Sequence, residues 1–189
     1  MRIILASSSP RRQELLRRIG VEFEVIPSKI VEKDVECGRE PVEFIKCLSF
    51  KKAKEVYERT FEERLVIGAD TVVVYKGEII GKPKTPKEAK EFLMMLSGDS
   101  HEVYTGVNFV WDGGEQFLYD RTVVWFREIP EDIIDRYISM GSPFDKAGGY
   151  GIQDLGSVFV ERIEGDFYNV MGFPIGKVWK FLYENGWWK

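Results

Sequence analysis

Apolar and polar positions along the chain follow the strand period in some segments and the helix period in others. The first apolar run, residues 3–6, predicts a short buried strand. A helix is predicted next, because Leu15, Leu16 and Ile19 recur at helical spacing between Pro10, suited to a helix start, and Gly20, suited to its end. A polar turn with three serines joins the strand to the helix.

The remaining chain continues this mixture of periods. Helical patterns begin near four later prolines, namely Pro41, Pro86, Pro130 and Pro174. Strand patterns cover residues 22–26, 64–75 with a break at Gly68-Ala69, a short segment before residue 82, a hairpin over 101–111 and 115–127, and 158–163. Because hairpins and crossovers both occur, we expect an α/β protein with a mixed sheet flanked by helices, in a single domain over residues 1–189.

Composition narrows the class of protein. With 44% hydrophobic and 31% charged residues the chain is typical of a globular protein, and its net charge of −4 argues against a general nucleic-acid-binding face. The two cysteines, Cys37 and Cys47, lack zinc-site spacing, so we predict two reduced thiols. Met1 runs directly into a strand pattern and no apolar stretch has the length of a membrane span, so we expect a cytoplasmic protein.

Arg11 and Arg12 occupy the first turn of the first helix, where the helix dipole and free N–H groups already create a positive field. A cation there costs up to about 1 kcal/mol. A bound anion would offset that cost, and Ser7 and Ser9 add hydroxyls beside the same helix end, so the segment favours a phosphate site. On this interpretation the ligand-free protein carries an uncompensated cost. The alternative is that both arginines turn back to surface carboxylates.

Asp70 lies between two apolar runs, 65–69 and 72–74, which predict a strand buried on both faces. An unpaired buried carboxylate is unfavourable, so Asp70 needs a cation, a metal ion or hydrogen-bond donors. We interpret it as a metal ligand, a general base or both. The alternative is a structural aspartate that caps a turn at Gly68-Ala69.

Other positions carry weaker signals. Lys82 precedes a proline, Lys52 lies on the long second helix and Glu32 lies in a polar loop, and each is ordinary by itself. The glycines of residues 145–153 permit close backbone approach to a ligand, and Gln153 could contact a base edge through its paired donor and acceptor. A plain structural loop is the alternative for this segment.

His101 is the only histidine and lies in the predicted strand 101–111. Neither a nucleophile elbow nor partner spacing supports a Ser-His-Asp or Cys-His enzyme. We therefore predict a structural role for His101.

Four motifs, taken in order along the chain, resemble those of the Maf family of nucleoside triphosphate pyrophosphatases, also called septum formation inhibitors. Each motif is weak alone, whereas the ordered set is specific. The motifs are Ser7-x-Ser9-Pro10-Arg11-Arg12, Gly68-Ala69-Asp70-Thr71, Gly81-Lys82-Pro83 and Asp145-Lys146-Ala147-Gly148.

The resemblance implies a fold like that of the inosine triphosphate pyrophosphatases, with an elongated mixed sheet and an active-site cleft between two lobes. It also implies a homodimer and a divalent metal, Mg²⁺ or Mn²⁺. Family members cleave between the α and β phosphates, and Asp70 matches their proton acceptor. The resemblance makes Asp70 and Glu32 the metal ligands. The residues that would bind the triphosphate are Ser7, Ser9, Arg12, Lys52 and Lys82.

Within the family, the residues Arg11, Thr71 and Gln153 match the branch acting on dTTP and UTP. The branch acting on 7-methyl-GTP often has Trp, Gln and Glu at these positions and is one alternative. A departure is Asp154-Leu155, since many relatives have glycine directly after the glutamine. A further alternative is a regulator of division that binds a nucleotide without cleaving it. A nucleic-acid-binding regulator is disfavoured by the net charge of −4.

Overall fold

The computed structural model describes residues 2–61, 63–141 and 143–188, and its strands and helices follow the predicted order. Met1 and Lys189, the ends of the predicted single domain, lie outside this range. The strands are β1 (Arg2–Leu5), β2 (Glu24–Val25), β3 (Arg64–Tyr75), β4 (Glu78–Ile80), β5 (Ser100–Trp111), β6 (Gly114–Phe126) and β7 (Val160–Glu164). The helices are α1 (Pro10–Arg18), α2 (Pro41–Glu58), α3 (Pro86–Leu96), α4 (Glu131–Ser139), α5 (Phe167–Val170) and α6 (Ile175–Glu184). Short 3₁₀ turns cover Glu32–Asp34, Ala147–Gly149 and Leu155–Phe159.

The strands pair in one mixed sheet of order β2-β1-β3-β5-β6-β7, with β4 on β3. Strand β1 runs parallel to β2 and to β3, whereas β4 is antiparallel to β3 and β7 to β6. Parallel neighbours need crossover connections, and α1 and α2 supply them. The predicted mixed α/β sheet flanked by helices is therefore confirmed.

The described residues form two compact units. The first unit contains the chain up to Asp70, then Thr105–Asp120, and the chain from Gly172 onward. The second contains Thr71–Tyr104 and Arg121–Met171. The single domain over residues 1–189 stays a prediction.

The core of the first unit forms where α2 covers β1 and β3. Ala53 and Val56 of the helix pack with Ile4 and Val66 of the strands, and all four are fully buried. Burying each of the larger side chains contributes roughly 1.5–3 kcal/mol. This packing fixes α2, and the residues it carries, against the sheet.

The core of the second unit is rich in aromatic rings. Phe126 contacts Tyr150 and Phe159 edge to face, with ring centroids 4.7 and 5.9 Å apart. Tyr137 from α4 meets Phe159 in the same way at 5.1 Å. Such pairs add about 0.5–1.5 kcal/mol beyond area burial.

Strand β3 is continuous, so the predicted break at Gly68-Ala69 is wrong. Gly68 instead allows close packing, since a Cβ there would lie 2.7 Å from the backbone nitrogen of Ala53 on α2. The alternative in which Asp70 caps a turn at this position is wrong for the same reason.

Cys37 and Cys47 form a disulfide, so the prediction of reduced thiols is wrong. The polar segment before α2 folds back along the helix and brings the two Cα atoms to 5.8 Å, within the range that a disulfide spans. Sequence spacing alone did not reveal this fold-back. The bridge closes a small ring that ends on α2.

None of the helices in the described residues combines the length and the apolar character needed to cross a membrane.

Candidate active site

A buried ion pair lies at the centre of the first unit. Asp70 on β3 is 6% exposed, and its Oδ1 accepts a hydrogen bond of 2.7 Å from Nζ of Lys52 on α2. Alternation along β3 and the close approach at Gly68 direct the two side chains to the same point. The prediction that Asp70 needs a partner is confirmed, and a residue that was ordinary in the sequence supplies it.

Glu32 brings a second carboxylate to the same ammonium group. Its Oε1 lies 2.7 Å from Lys52 Nζ, while its side chain remains 44% exposed. The structure therefore brings together Glu32, Lys52 and Asp70, three of the predicted site residues. Two carboxylates and one ammonium meet at a single point.

Glu32 reaches this point from an irregular segment, residues 27–37, which we call the strap. The strap follows α2 in the reverse direction, with a contact on successive helical turns. Its contacts are Pro27 O with Arg59 Nη2, Lys29 N with Glu55 Oε2, Glu32 Oε1 with Lys52 Nζ, Glu36 O with Lys51 Nζ, and the Cys37–Cys47 disulfide. Polar contacts and one covalent bond, rather than a hydrophobic core, hold Glu32 in place.

Arg12 points into the protein and not towards surface carboxylates. Its Nε donates to Gly172 O at 2.9 Å, and its Nη1 donates to Ala69 O at 2.9 Å and to Ser7 Oγ at 3.3 Å. For Arg12 the expected uncompensated cost in the ligand-free protein is therefore wrong, because carbonyl groups already accept from its guanidinium, whereas the expectation for Arg11 stays a prediction.

The pKa of Arg12 reflects the charged groups that surround its guanidinium. Burial lowers the pKa of the Arg12 guanidinium and Arg11 acts in the same direction, whereas Asp70 and Glu32 oppose the change. A guanidinium stays protonated even so. The first unit thus holds the Arg12 cation within the field of the same two carboxylates.

The serines of the β1–α1 turn lie beside Arg12. Ser7 is buried, and its Oγ accepts from Ser9 N at 3.2 Å as well as from Arg12. Ser9 precedes α1 at the N-cap position without a side-chain capping bond. The predicted start of α1 at Pro10 is confirmed, and Arg11, half-buried, follows it. The phosphate site itself stays a prediction.

Sequence reasoning missed the residues that hold the turn of α2 preceding Lys52. Asn108 on β5 is 2% exposed, and its Nδ2 donates to Ser49 Oγ at 2.7 Å and to Lys46 O at 3.0 Å. These bonds anchor the helical turn that precedes Lys52. A buried asparagine in an apolar strand pattern was the available signal.

The second unit holds Thr71, Lys82 and Gln153. Thr71 is half-buried on β3, and Lys82 and Gln153 are exposed. The loop of Lys82 joins the glycine-rich segment, because Gly148 N donates to Gly81 O at 3.0 Å. The structure thus brings two of the sequence motifs together, while base contacts of Thr71 and Gln153 stay predictions.

The carboxylates suit a hard divalent cation shared with a ligand. In the part of the chain that the structure describes, no group of three or more His, Cys, Asp or Glu side chains could hold a metal. Asp70 and Glu32 offer two convergent carboxylates. Mg²⁺ is commonly held by one or two carboxylates together with substrate phosphates, so these residues fit it.

His101 lies in the second unit, buried at 2% exposure, with Nε2 2.7 Å from Tyr150 Oη. Burial lowers the pKa of His101 to about 3. It contacts Phe126 edge to face at 4.7 Å. A neutral ring among aromatic neighbours agrees with the predicted structural role.

Comparisons with known proteins give similarity over nearly the whole chain. Residues 2–185 match a family model described as Maf-like protein. A dTTP/UTP pyrophosphatase of Thermotoga petrophila is 53% identical over 100% of this chain and 92% of that protein. A dTTP/UTP pyrophosphatase of Bacillus cereus is 48% identical over 94% of this chain and 92% of that protein.

A solved structure shares the fold. A HAM1 protein from Coxiella burnetii superposes with a TM-score of 0.51 at 16% identity, covering 97% of this chain and 99% of that chain. At this identity the likeness concerns the fold alone, and it agrees with the mixed α/β sheet.

Proposed function

The chain belongs to the Maf family, and we propose that it hydrolyses dTTP and UTP between the α and β phosphates, releasing the nucleoside monophosphate and pyrophosphate. The names of its relatives and the geometry of the first unit support this proposal. The single observation that carries it is the Lys52 ammonium held 2.7 Å from both Asp70 and Glu32. A protein that only bound a polyanion would gain nothing from two carboxylates at that point unless a metal ion lay between them and the phosphates.

The cations of the site neutralise the triphosphate. Lys52 is buried and Arg12 is half-buried in the first unit, where a charge interaction is screened less than at the surface. Lys82, exposed on the loop after β4 in the second unit, is assigned to the triphosphate by resemblance alone. Catalysis of this kind consists mostly of positioning and charge stabilisation.

Asp70 accepts the proton of the attacking water. Its Oδ1 is held by Lys52, and this bond orients the carboxylate. Water then attacks the α phosphorus opposite the leaving pyrophosphate, and the P–O bond to the β phosphate breaks as the new P–O bond forms.

Glu32 and Asp70 would hold a divalent cation, Mg²⁺ or Mn²⁺, together with substrate phosphates. When bound, such an ion stabilises the negative charge that develops on the phosphate oxygens. Carboxylate oxygens are hard ligands of the kind that Mg²⁺ and Mn²⁺ prefer, which supports that class of metal.

Selection of the base is assigned to Arg11, Thr71 and Gln153, by resemblance to the dTTP/UTP branch. The Gln153 amide both donates and accepts, which suits the carbonyl and N–H edge of uracil or thymine. We expect the triple variant Arg11→Trp, Thr71→Gln and Gln153→Glu to lower the ratio of kcat/KM for UTP over 7-methyl-GTP. An unchanged ratio in a folded, active variant would place base selection elsewhere.

The test of the reaction is an assay of pyrophosphate release from dTTP, UTP, CTP and 7-methyl-GTP, with Mg²⁺, with Mn²⁺ and with excess chelator. We expect dTTP and UTP to give monophosphate and pyrophosphate, and chelator to abolish both. Release of inorganic phosphate with a nucleoside diphosphate would overturn the cleavage position. Tight nucleotide binding without any turnover would instead favour the nucleotide-binding regulator.

We also propose a homodimer in the cytoplasm without a stable nucleic-acid partner. Family membership supports the first two, and the net charge of −4 supports the third. Light scattering of the purified protein tests the dimer.

A further inference from the structure

The carboxylate of Asp154 organises the segment that carries Gln153. Its Oδ1 accepts from Gly156 N at 2.8 Å and from Tyr137 Oη at 3.3 Å. Its Oδ2 lies 3.4 Å from Lys146 Nζ. The Asp154 side chain therefore joins Gly156, which follows Gln153, to Tyr137 of α4 and to Lys146.

The residues before Gln153 are tied to the same point. Gly151 N donates to Tyr137 Oη at 3.1 Å, and Tyr137 in turn donates to Asp154. The backbone adds two turn bonds, from Asp154 N to Gly151 O at 3.4 Å and from Ser157 N to Asp154 O at 2.9 Å. Both sides of the turn are thus anchored through Asp154.

This anchor is largely buried, whereas Gln153 is not. Tyr137 is fully buried, the Lys146 side chain is 11% exposed and that of Asp154 is 29% exposed. A Cβ at Gly151 would meet Asp154 Oδ2 and would lie 2.7 Å from Lys146 Cε, so the turn packs closely against both side chains. The result is one exposed amide on a tightly packed turn.

We infer that Asp154 is a positioning residue that holds the turn of Gln153 and thereby sets the preference for uracil and thymine over cytosine. The inference rests on the proposed function. Cytosine presents an acceptor and an amino donor where uracil presents N–H and a carbonyl, so a displaced amide loses contacts that distinguish the two. Asp154 supplies the closing bonds of the turn.

The experiment measures kcat/KM for UTP and for CTP in wild type, Asp154→Ala, Asp154→Asn, Gln153→Ala and the double variant Gln153→Ala/Asp154→Ala. We expect Asp154→Ala to lower the UTP:CTP ratio about tenfold, the scale of a lost matched contact. Asp154→Asn keeps an acceptor for Gly156 N and should lower it less. In the Gln153→Ala background, removal of Asp154 should change the ratio no further.

The matched control is Asp145→Ala, because Asp145 also contacts Lys146 Nζ, at 2.7 Å, but lies outside the turn. This variant should keep the wild-type ratio. An unchanged ratio in Asp154→Ala, or an equal loss with and without Gln153, would overturn the inference. If Asp154→Ala fails to fold, an unchanged ratio in Asp154→Asn overturns it.

The wild-type reaction separates the two hypotheses. Failure of wild type to release pyrophosphate from UTP counts against the proposed function. In that case hydrogen exchange of residues 147–157 decides the turn itself, with faster exchange expected in Asp154→Ala and not in Asp145→Ala. Equal exchange in both variants would show that Asp154 does not hold the turn.

Discussion

The most deeply buried pair of titratable side chains differs in charge between the two compact units. The first buries charges, Lys52 and Asp70, as an ion pair at 2.7 Å. The second buries His101 against Tyr150 at 2.7 Å, and burial lowers the pKa of His101 to about 3, so this pair is neutral near pH 7.

We connect the charged pair with the proposed function and the neutral pair with packing. A buried ion pair is often no more stabilising than apolar residues of the same shape, because both charges lose their hydration. The neutral pair of the second unit carries no such penalty and joins an aromatic core. The costly arrangement lies where a charged substrate is proposed to bind.

The strongest test of this comparison is Asp70→Asn. The amide keeps the shape and removes the charge, so we expect turnover to fall at least about 10²-fold, the scale of a general base. Steady-state pyrophosphate release measures the effect, and circular dichroism checks the fold. Glu24→Gln is the control, since Glu24 pairs with Arg2 on an exposed surface of the same unit. Near-normal turnover in Asp70→Asn would remove both the base and the metal-ligand roles.

Arg12→Ala tests a half-buried cation of the first unit. The variant leaves the carbonyls of Ala69 and Gly172 without this donor, and we expect a loss of about 3 kcal/mol in the free energy of unfolding. Urea denaturation measures it. Arg18→Ala on the same helix removes an exposed pair with Glu14 and should cost under about 0.5 kcal/mol. Equal costs would mean that the bonds of Arg12 contribute little.

Removing the disulfide tests how far the position of the Glu32 carboxylate depends on this covalent bond between the strap and α2. Replacing Cys37 and Cys47 by serine should lower the free energy of unfolding by roughly 2 kcal/mol, as expected for a short closed ring. Dithiothreitol should lower the stability of wild type equally and leave the double variant unchanged. Because the strap carries Glu32, apparent affinity for Mg²⁺ should also weaken. A wild type indifferent to reductant would contradict this role.

The smallest effect on turnover is expected for the neutral pair. The pKa of His101 is about 3 when folded and near 6.5 when unfolded, so the unfolded state binds more protons between these values. Stability is therefore full above pH 6.5 and falls as the pH is lowered towards 3, by up to about 1.4 kcal/mol per pH unit. Asp99, the nearby charge, opposes the shift only in part.

Urea midpoints between pH 4 and 7 measure this slope, and His101→Phe should flatten it while leaving turnover at pH 7 unchanged. If that variant does not fold, His101→Asn serves the same purpose. A slope identical to that of wild type would show that His101 titrates as it does when unfolded.

The sequence predicted the parts of the site that leave a local mark. Asp70 stands out because a carboxylate interrupts an apolar strand, and the start of α1 follows from its serine and proline. Gly68 was misinterpreted, because a break and a close approach of α2 require the same residue.

Long-range partners left no such mark. The acceptors of Arg12 lie 57 and 160 positions away, so its inward direction depends on the fold and not on nearby residues. The disulfide was missed because composition argued for reduced thiols and the fold-back of the strap has no periodicity. Lys52 became informative only once α2 and β3 were packed together.

Cys37 and Cys47 are connected twice, once through the backbone between them and once through the disulfide. Arg39 is exposed inside the ring, whereas Lys33 is exposed before it. Trypsin cleavage after Arg39 would leave both fragments joined, so the nicked protein would migrate at full size until a thiol was added. Cleavage after Lys33 would release residues 1–33 on any denaturing gel. Without a thiol, a denaturing gel would therefore reveal cleavage after Lys33 but not cleavage after Arg39.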